Sequence, residues 1–156
     1  MTQRRDPQLV DAMWRANDLR RAYLDRDRAR VAACLAGLAP DQIERVCGWL
    51  ILDHDELFRE LGEPPLTVRE IYATATAAPL DTEVAVAAAV QRVTAGETGI
   101  ADAVDGLALL DQVHAIAIQT AVILLEALGR DGALERFDTM ALEYERMGYP
   151  RPYPIA

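Results

Sequence analysis

Apolar side chains recur at helical spacing along most of the chain, most densely over residues 107–128. Wound at about 100° per residue, that stretch is apolar over well more than half its circumference. Its polar remainder, Gln112, Gln119 and Glu126, falls in one narrow strip at seven-residue spacing. Every apolar face left in water forfeits burial free energy, so such a helix must be wrapped by others on nearly every side. Asp111, Gln112, Gln119 and Glu126 interrupt any run of the roughly 18 apolar residues that a membrane span requires. Ile100, Val104, Leu107, Asp111, His114, Ile118 and Leu125 keep helical spacing through Gly106. The spacing predicts one central helix over about residues 100–128, kinked at that glycine.

The flanking pattern supplies the helices that wrap it. Asp6-Pro7 has the form of a helix start, after which Leu9, Ala12, Met13, Ala16, Leu19, Tyr23 and Leu24 share one face. A short helix over residues 27–35 ends at Gly37 and Pro40. A longer one over residues 40–61 turns Ile43, Val46, Cys47, Leu50, Ile51, His54, Leu57, Phe58 and Leu61 inward and stops at Gly62-Glu63-Pro64-Pro65. Thr67 and Glu70 fit a capping box for a short helix ending before Pro79, and Asp81 is placed to cap another over residues 82–95. Gly129-Arg130-Asp131-Gly132 sets off a last helix ending at Met147-Gly148, and the prolines of residues 149–156 prescribe an extended, polyproline-like tail. The expected fold is all-α: a single-domain bundle of about six or seven helices over residues 1–148, built around a central buried helix, with a proline-rich tail.

Composition narrows the chemistry. A chain of 156 residues, 51% apolar and with mean hydropathy near zero, can bury one core without staples. It has no lysine, no serine and one asparagine, Asn17, and all 16 basic residues are arginine; this is the habit of GC-rich bacterial coding. Schiff-base lysines, phosphate-loop lysines and serine hydrolases are thereby excluded. Cys34 and Cys47 are too few for a disulfide framework and read as free thiols. No apolar leader follows residues 1–5, so a cytoplasmic setting is expected. The net charge of −9 divides into +3 over residues 1–30 and −12 over the remainder. An acidic body of this kind repels nucleic acid and anionic membrane.

The N-terminal arginines are spaced three or four from aspartates, as in Asp11 and Arg15, Asp18 and Arg21, and Arg21 and Asp25, which makes a self-neutralised ladder. A DNA-associated regulator using Arg15, Arg21 and Arg28 is therefore only a weaker alternative. Trp14 and Val10 project onto the polar side of that helix, and Trp49 and Leu52 onto the far side of the 40–61 helix. With Tyr149 and Tyr153 of the tail they are the interface candidates, to be covered by this chain or by another.

Two constellations carry candidate chemistry. Asp111-x-x-His114 places a carboxylate and an inward imidazole on neighbouring turns. Cys47 and His54 share an inward face, roughly 10 Å apart along the axis. If His54 and His114 meet across the core with Asp111 and Cys47, they form a polar pocket able to hold a ligand, a metal or a buried pH-sensitive switch. The plainer expectation is two independent core histidines and an inert thiol. In Asp53-His54-Asp55-Glu56 the four side chains point in different directions around a helix. Di-iron Glu-x-x-His pairs, His-Glu-x-x-His, calcium loops, dinucleotide fingerprints and Cys-x-x-Cys are absent from the sequence, so no metal or cofactor is expected. The resulting expectation is a non-enzymatic helical interaction or regulatory module, a homo-oligomer or a subunit of a larger assembly. The alternative is a small-molecule-binding or catalytic bundle with a His/Asp pocket in its core.

Overall fold

A computed structural model describes residues 6–80 and 82–154, and all their side chains except those of residues 83 and 84. Among the described residues there are seven helices and no strand: α1 (Pro7–Leu24), α2 (Arg28–Leu35), α3 (Pro40–Glu60), α4 (Val68–Ala75), α5 (Glu83–Thr94), α6 (Ile100–Val104) and α7 (Leu109–Arg146). The all-α bundle is as the periodicity predicts.

Helix starts follow local chemistry. Asp6 caps α1 by accepting from the Gln8 amide at 2.9 Å, with Pro7 in the first turn; Asp27 caps α2 through the Arg30 amide at 3.1 Å; Thr67 caps α4 through the Glu70 amide at 3.4 Å. The cap assigned to Asp81 lies outside the described residues. Gly37 and Gly62 adopt φ of 74° and 78°, so the breaks after α2 and α3 use a left-handed conformation in which glycine carries no steric penalty.

The centre of the chain differs from the expected kinked rod. α6 stops at Val104, the chain turns through residues 105–108, and α7 begins after Ala108, whose ψ of 148° is extended. The Gln112 side chain donates to the Leu107 carbonyl at 2.9 Å and so satisfies a carbonyl that a continuous helix would have bonded itself. Conversely, the expected loop around Gly129 shrinks to one residue. Only Gly129 leaves helical geometry, at φ 74° and ψ 172°, and the helix resumes immediately.

Residues 113–124 of α7 are all buried, and this half of the helix is packed by α1, α3, α4, α5 and α6. α7 also holds the one stretch among the described residues long and apolar enough to cross a membrane, and 67% of that window is buried inside the fold. The main core joins α1–α7 through residues such as Leu19, Val46, Ile71, Val90, Val104 and Ile116. Beyond Gly129 two smaller clusters continue it. One gathers Leu24, Leu57, Leu124, Ala133 and Phe137; the other gathers Val10, Met13, Trp14 and Tyr144.

The last cluster decides between the two coverings open to Trp14 and Val10: it is their own chain that covers them. Trp14 is 0% exposed and Val10 is buried. The second half of α7 and the tail cover the side of α1 that the sequence leaves polar. The tail is not a straight polyproline rod either: it bends at Pro152 and Tyr153 and turns back onto α1.

Candidate functional site

The core imidazoles have separate partners. His114, on α7, shares a hydrogen bond at Nδ1 with the Tyr23 hydroxyl of α1, 2.6 Å away. Burial holds the ring neutral, with its pKa lowered to about 4, and burial likewise pushes the Tyr23 phenol upward, so both partners are uncharged. Among the described residues no hydrogen bond joins Asp111 to His114, contrary to the expected pairing. His54, on α3, sits between Asp55 and Gln119: Gln119 Nε2 donates to Nε2 at 2.9 Å, which puts the ring proton on Nδ1, facing Asp55 Oδ1 at 3.0 Å. Burial lowers the His54 pKa and Asp55 opposes the shift. Cys47 lies 4.0 Å from Gln112 Oε1, its thiol pushed up by burial.

The polar strip of α7 is thus a set of bridges rather than a pocket. Gln112 meets Cys47, Gln119 meets His54, and Glu126 accepts from Thr67 Oγ1 at 2.9 Å. Three surface clefts are lined by none of His54, His114, Cys47 and Asp111. Among the described residues no group of three or more His, Cys, Asp or Glu is placed to hold a metal ion.

A second polar centre joins α1 to the tail, and the sequence gives no local sign of it. Asp18 is buried and receives both arms of the Arg151 guanidinium, at 3.0 and 3.1 Å, together with the Tyr153 hydroxyl. Trp14 Nε1 donates to the Tyr149 carbonyl at 2.8 Å, Arg151 lies over the Trp14 ring, and Arg15 lies 3.8 Å from the centre of the Tyr153 ring. Tyr149 and Tyr153, interface candidates in the sequence, are therefore engaged by their own chain. The expected Asp18–Arg21 pair is replaced by Asp18–Arg151, because a buried carboxylate gains more from a two-armed guanidinium than from a helix neighbour.

The arginines proposed for DNA are also committed. Arg15 reaches Asp11 at 3.4 Å and the Cys34 carbonyl at 2.9 Å, Arg21 pairs with Asp25 and Asp138, and Arg28 donates to the Thr76 carbonyl at 2.6 Å. Arg20, not singled out by pattern, is fully buried and bonded to Asp53 at 2.8 Å.

Beside the tail a cleft of about 470 Å³ is lined by Asp18, Arg21, Arg30, Cys34, Arg151 and Tyr153, with alanines and Pro154 completing its walls. Arg30 makes no ion pair among the described residues. Cys34 has its pKa raised to about 12, by burial first and by Asp18 second.

The outer side of α3 is the remaining feature. Leu52 is 70% exposed in mid-helix, and Trp49, half-buried, lines a hollow with it together with Asp53, Asp55, Glu56 and Arg59. Four residues before Leu52 stands Gly48, where an added Cβ would meet nothing within 4 Å. Compared with known protein families, with curated proteins and with solved structures, the chain matches none.

Proposed function

We propose that the protein is a non-catalytic helical interaction module that receives its partner on the outer side of α3, in a bacterial cytoplasm. Leu52 carries the reading. A leucine 70% exposed at the middle of a 21-residue helix buries little in its own chain, and the glycine beside it costs about 1 kcal/mol relative to alanine in a helix interior. Among the described residues nothing crowds that glycine, whereas a surface closing over α3 uses both its missing side chain and the leucine next to it. The engagement of His54, His114, Cys47 and the α1 arginines in bonds within the fold supports the same reading. Its test is the mass of the complex in which tagged full-length chain is recovered from its own cells. Leu52→Glu should be recovered free of that complex with unchanged helicity; a variant that stays in it would end the reading.

A second reading, small-anion binding, is favoured by Arg30 in the cleft beside the tail. Inorganic phosphate should then raise the thermal midpoint of the wild-type chain and leave Arg30→Ala unmoved. Equal responses of the two would remove it.

A further inference from the structure

Asp41, Arg45, Gly48, Leu52, Asp55 and Arg59 are all exposed, at successive steps of four, three, four, three and four residues. At about 100° per residue they fall within about 40° of one line, so they form a single ridge along the outside of α3. Its order is acid, base, gap, knob, acid, base. Turned end for end, the same ridge reads base, acid, knob, gap, base, acid. Laid antiparallel on itself, Asp41 faces Arg59, Arg45 faces Asp55 and Gly48 faces Leu52, and every charge meets its opposite.

Resting on the reading of α3 given above, we infer that the partner is a second copy of this chain, its α3 packed antiparallel along the first about a two-fold axis level with Leu50. Each facing pair occurs twice, as two-fold symmetry requires. The alternation of three- and four-residue steps is the spacing of helices that cross at about 20°, with side chains of one seated between those of the other. Leu52 is the side chain that seats, and the bare backbone at Gly48 is its socket. Glu44 and Glu56 fall level with each other in this register, but they lie about 60° to opposite sides of the ridge, so the two-fold keeps these like charges apart. Trp49 and Ile51, half-buried, flank the centre and close over it.

The ridge is free to do this. Asp41 and Arg59 make no ion pair among the described residues. Arg45 reaches Asp6 at 3.3 Å with both side chains largely in solvent, and Asp55 faces His54 while remaining mostly exposed. From Asp41 to Arg59 the ridge is about 27 Å long and a helix is about 10 Å wide. That footprint, about 270 Å² per chain, is below the roughly 1,200 Å² total of stable interfaces, so the ridge alone makes a weak, concentration-dependent dimer rather than an obligate unit.

Sedimentation equilibrium on the purified full-length chain at low salt tests the register. The wild type should show a monomer–dimer equilibrium. Arg45→Asp and Asp55→Arg should each weaken it by at least about a hundredfold, since each brings like charges together twice. An equimolar mixture of these two variants should dimerise again, because in the mixed pair each reversed charge meets its opposite. Asp41→Arg and Arg59→Asp should behave in the same way, and neither disturbs an ion pair within the chain. Gly48→Met should weaken association while raising the thermal midpoint of the dilute chain, opposite signs that a purely structural glycine does not give. A dimer whose single variants are not restored by mixing, or one that Leu52→Glu leaves intact, overturns the antiparallel register. A purified chain that stays monomeric, while a Leu52-dependent complex persists in cells, overturns the second copy and leaves α3 as the docking face of a different protein. Circular dichroism of each variant separates lost association from lost folding.

Discussion

His114 is neutral at physiological pH because the core gives a charged imidazole no solvent, and its Nδ1 shares a hydrogen bond with the uncharged Tyr23 hydroxyl. Unfolding returns the ring to its ordinary pKa of about 6.5. Between that value and the folded value of about 4, the unfolded chain binds more protons than the folded one. Stability from this residue is therefore complete above about pH 6.5, is lost as pH falls towards about 4, and amounts to roughly 3 kcal/mol across the window. His54 is shifted in the same direction. His114→Gln should flatten the decline of the urea midpoint between pH 7 and pH 5; equal slopes in variant and wild type would refute the assignment. The inward placement of both histidines was legible from helical spacing. Their partners were not, because spacing reports the face on which a side chain lies and not which residue of another helix arrives opposite it. Asp111, close in sequence, was the wrong choice for that reason, and Tyr23, on a different helix, was the right one.

At the scale of elements, caps and apolar periodicity located most helices, while glycines were ambiguous. Gly106 looked like a kink and lies in a turn between two helices; the glycines at 129 and 132 looked like a loop, and only the first departs from helix. The difference is backbone conformation, which the letter G does not encode. Gly129 at φ 74° and ψ 172° occupies a region essentially confined to glycine, so Gly129→Ala should cost about 1–3 kcal/mol, visible as a lower thermal midpoint. An unchanged midpoint would mean that the helix re-forms straight through this position. Trp14 and Val10 were legible as apolar side chains on a polar face and illegible as core, because what covers them comes from the far end of the sequence. Leu52 followed the same logic to the opposite outcome: among the described residues no segment closes over it.

Across the whole molecule, the charge asymmetry seen in the sequence has a structural use. Within residues 6–30 the arginines serve as fasteners: those of α1 reach α2, α3 and the second half of α7, and Arg26 and Arg28 reach α4 and its end. The tail completes this fastening through Asp18 and Arg151. Arg151→Ala removes both arms from a carboxylate that is only 7% exposed and should cost roughly 2 kcal/mol. In a Trp49→Phe background the same change should move Trp14 emission to longer wavelength as the tail lifts, and an unmoved spectrum would show that Tyr149 holds the indole alone.

The union of α1 with residues 149–153 also sets a timetable. A ribosome exposes α1 well before it adds Tyr149, Arg151 and Tyr153, and at about 5–20 residues per second the interval is on the order of 10 s. Throughout that interval the indole of Trp14 and the carboxylate of Asp18 have no native lodging. The growing chain therefore offers chaperones an amphipathic helix that its own translation is late to reclaim.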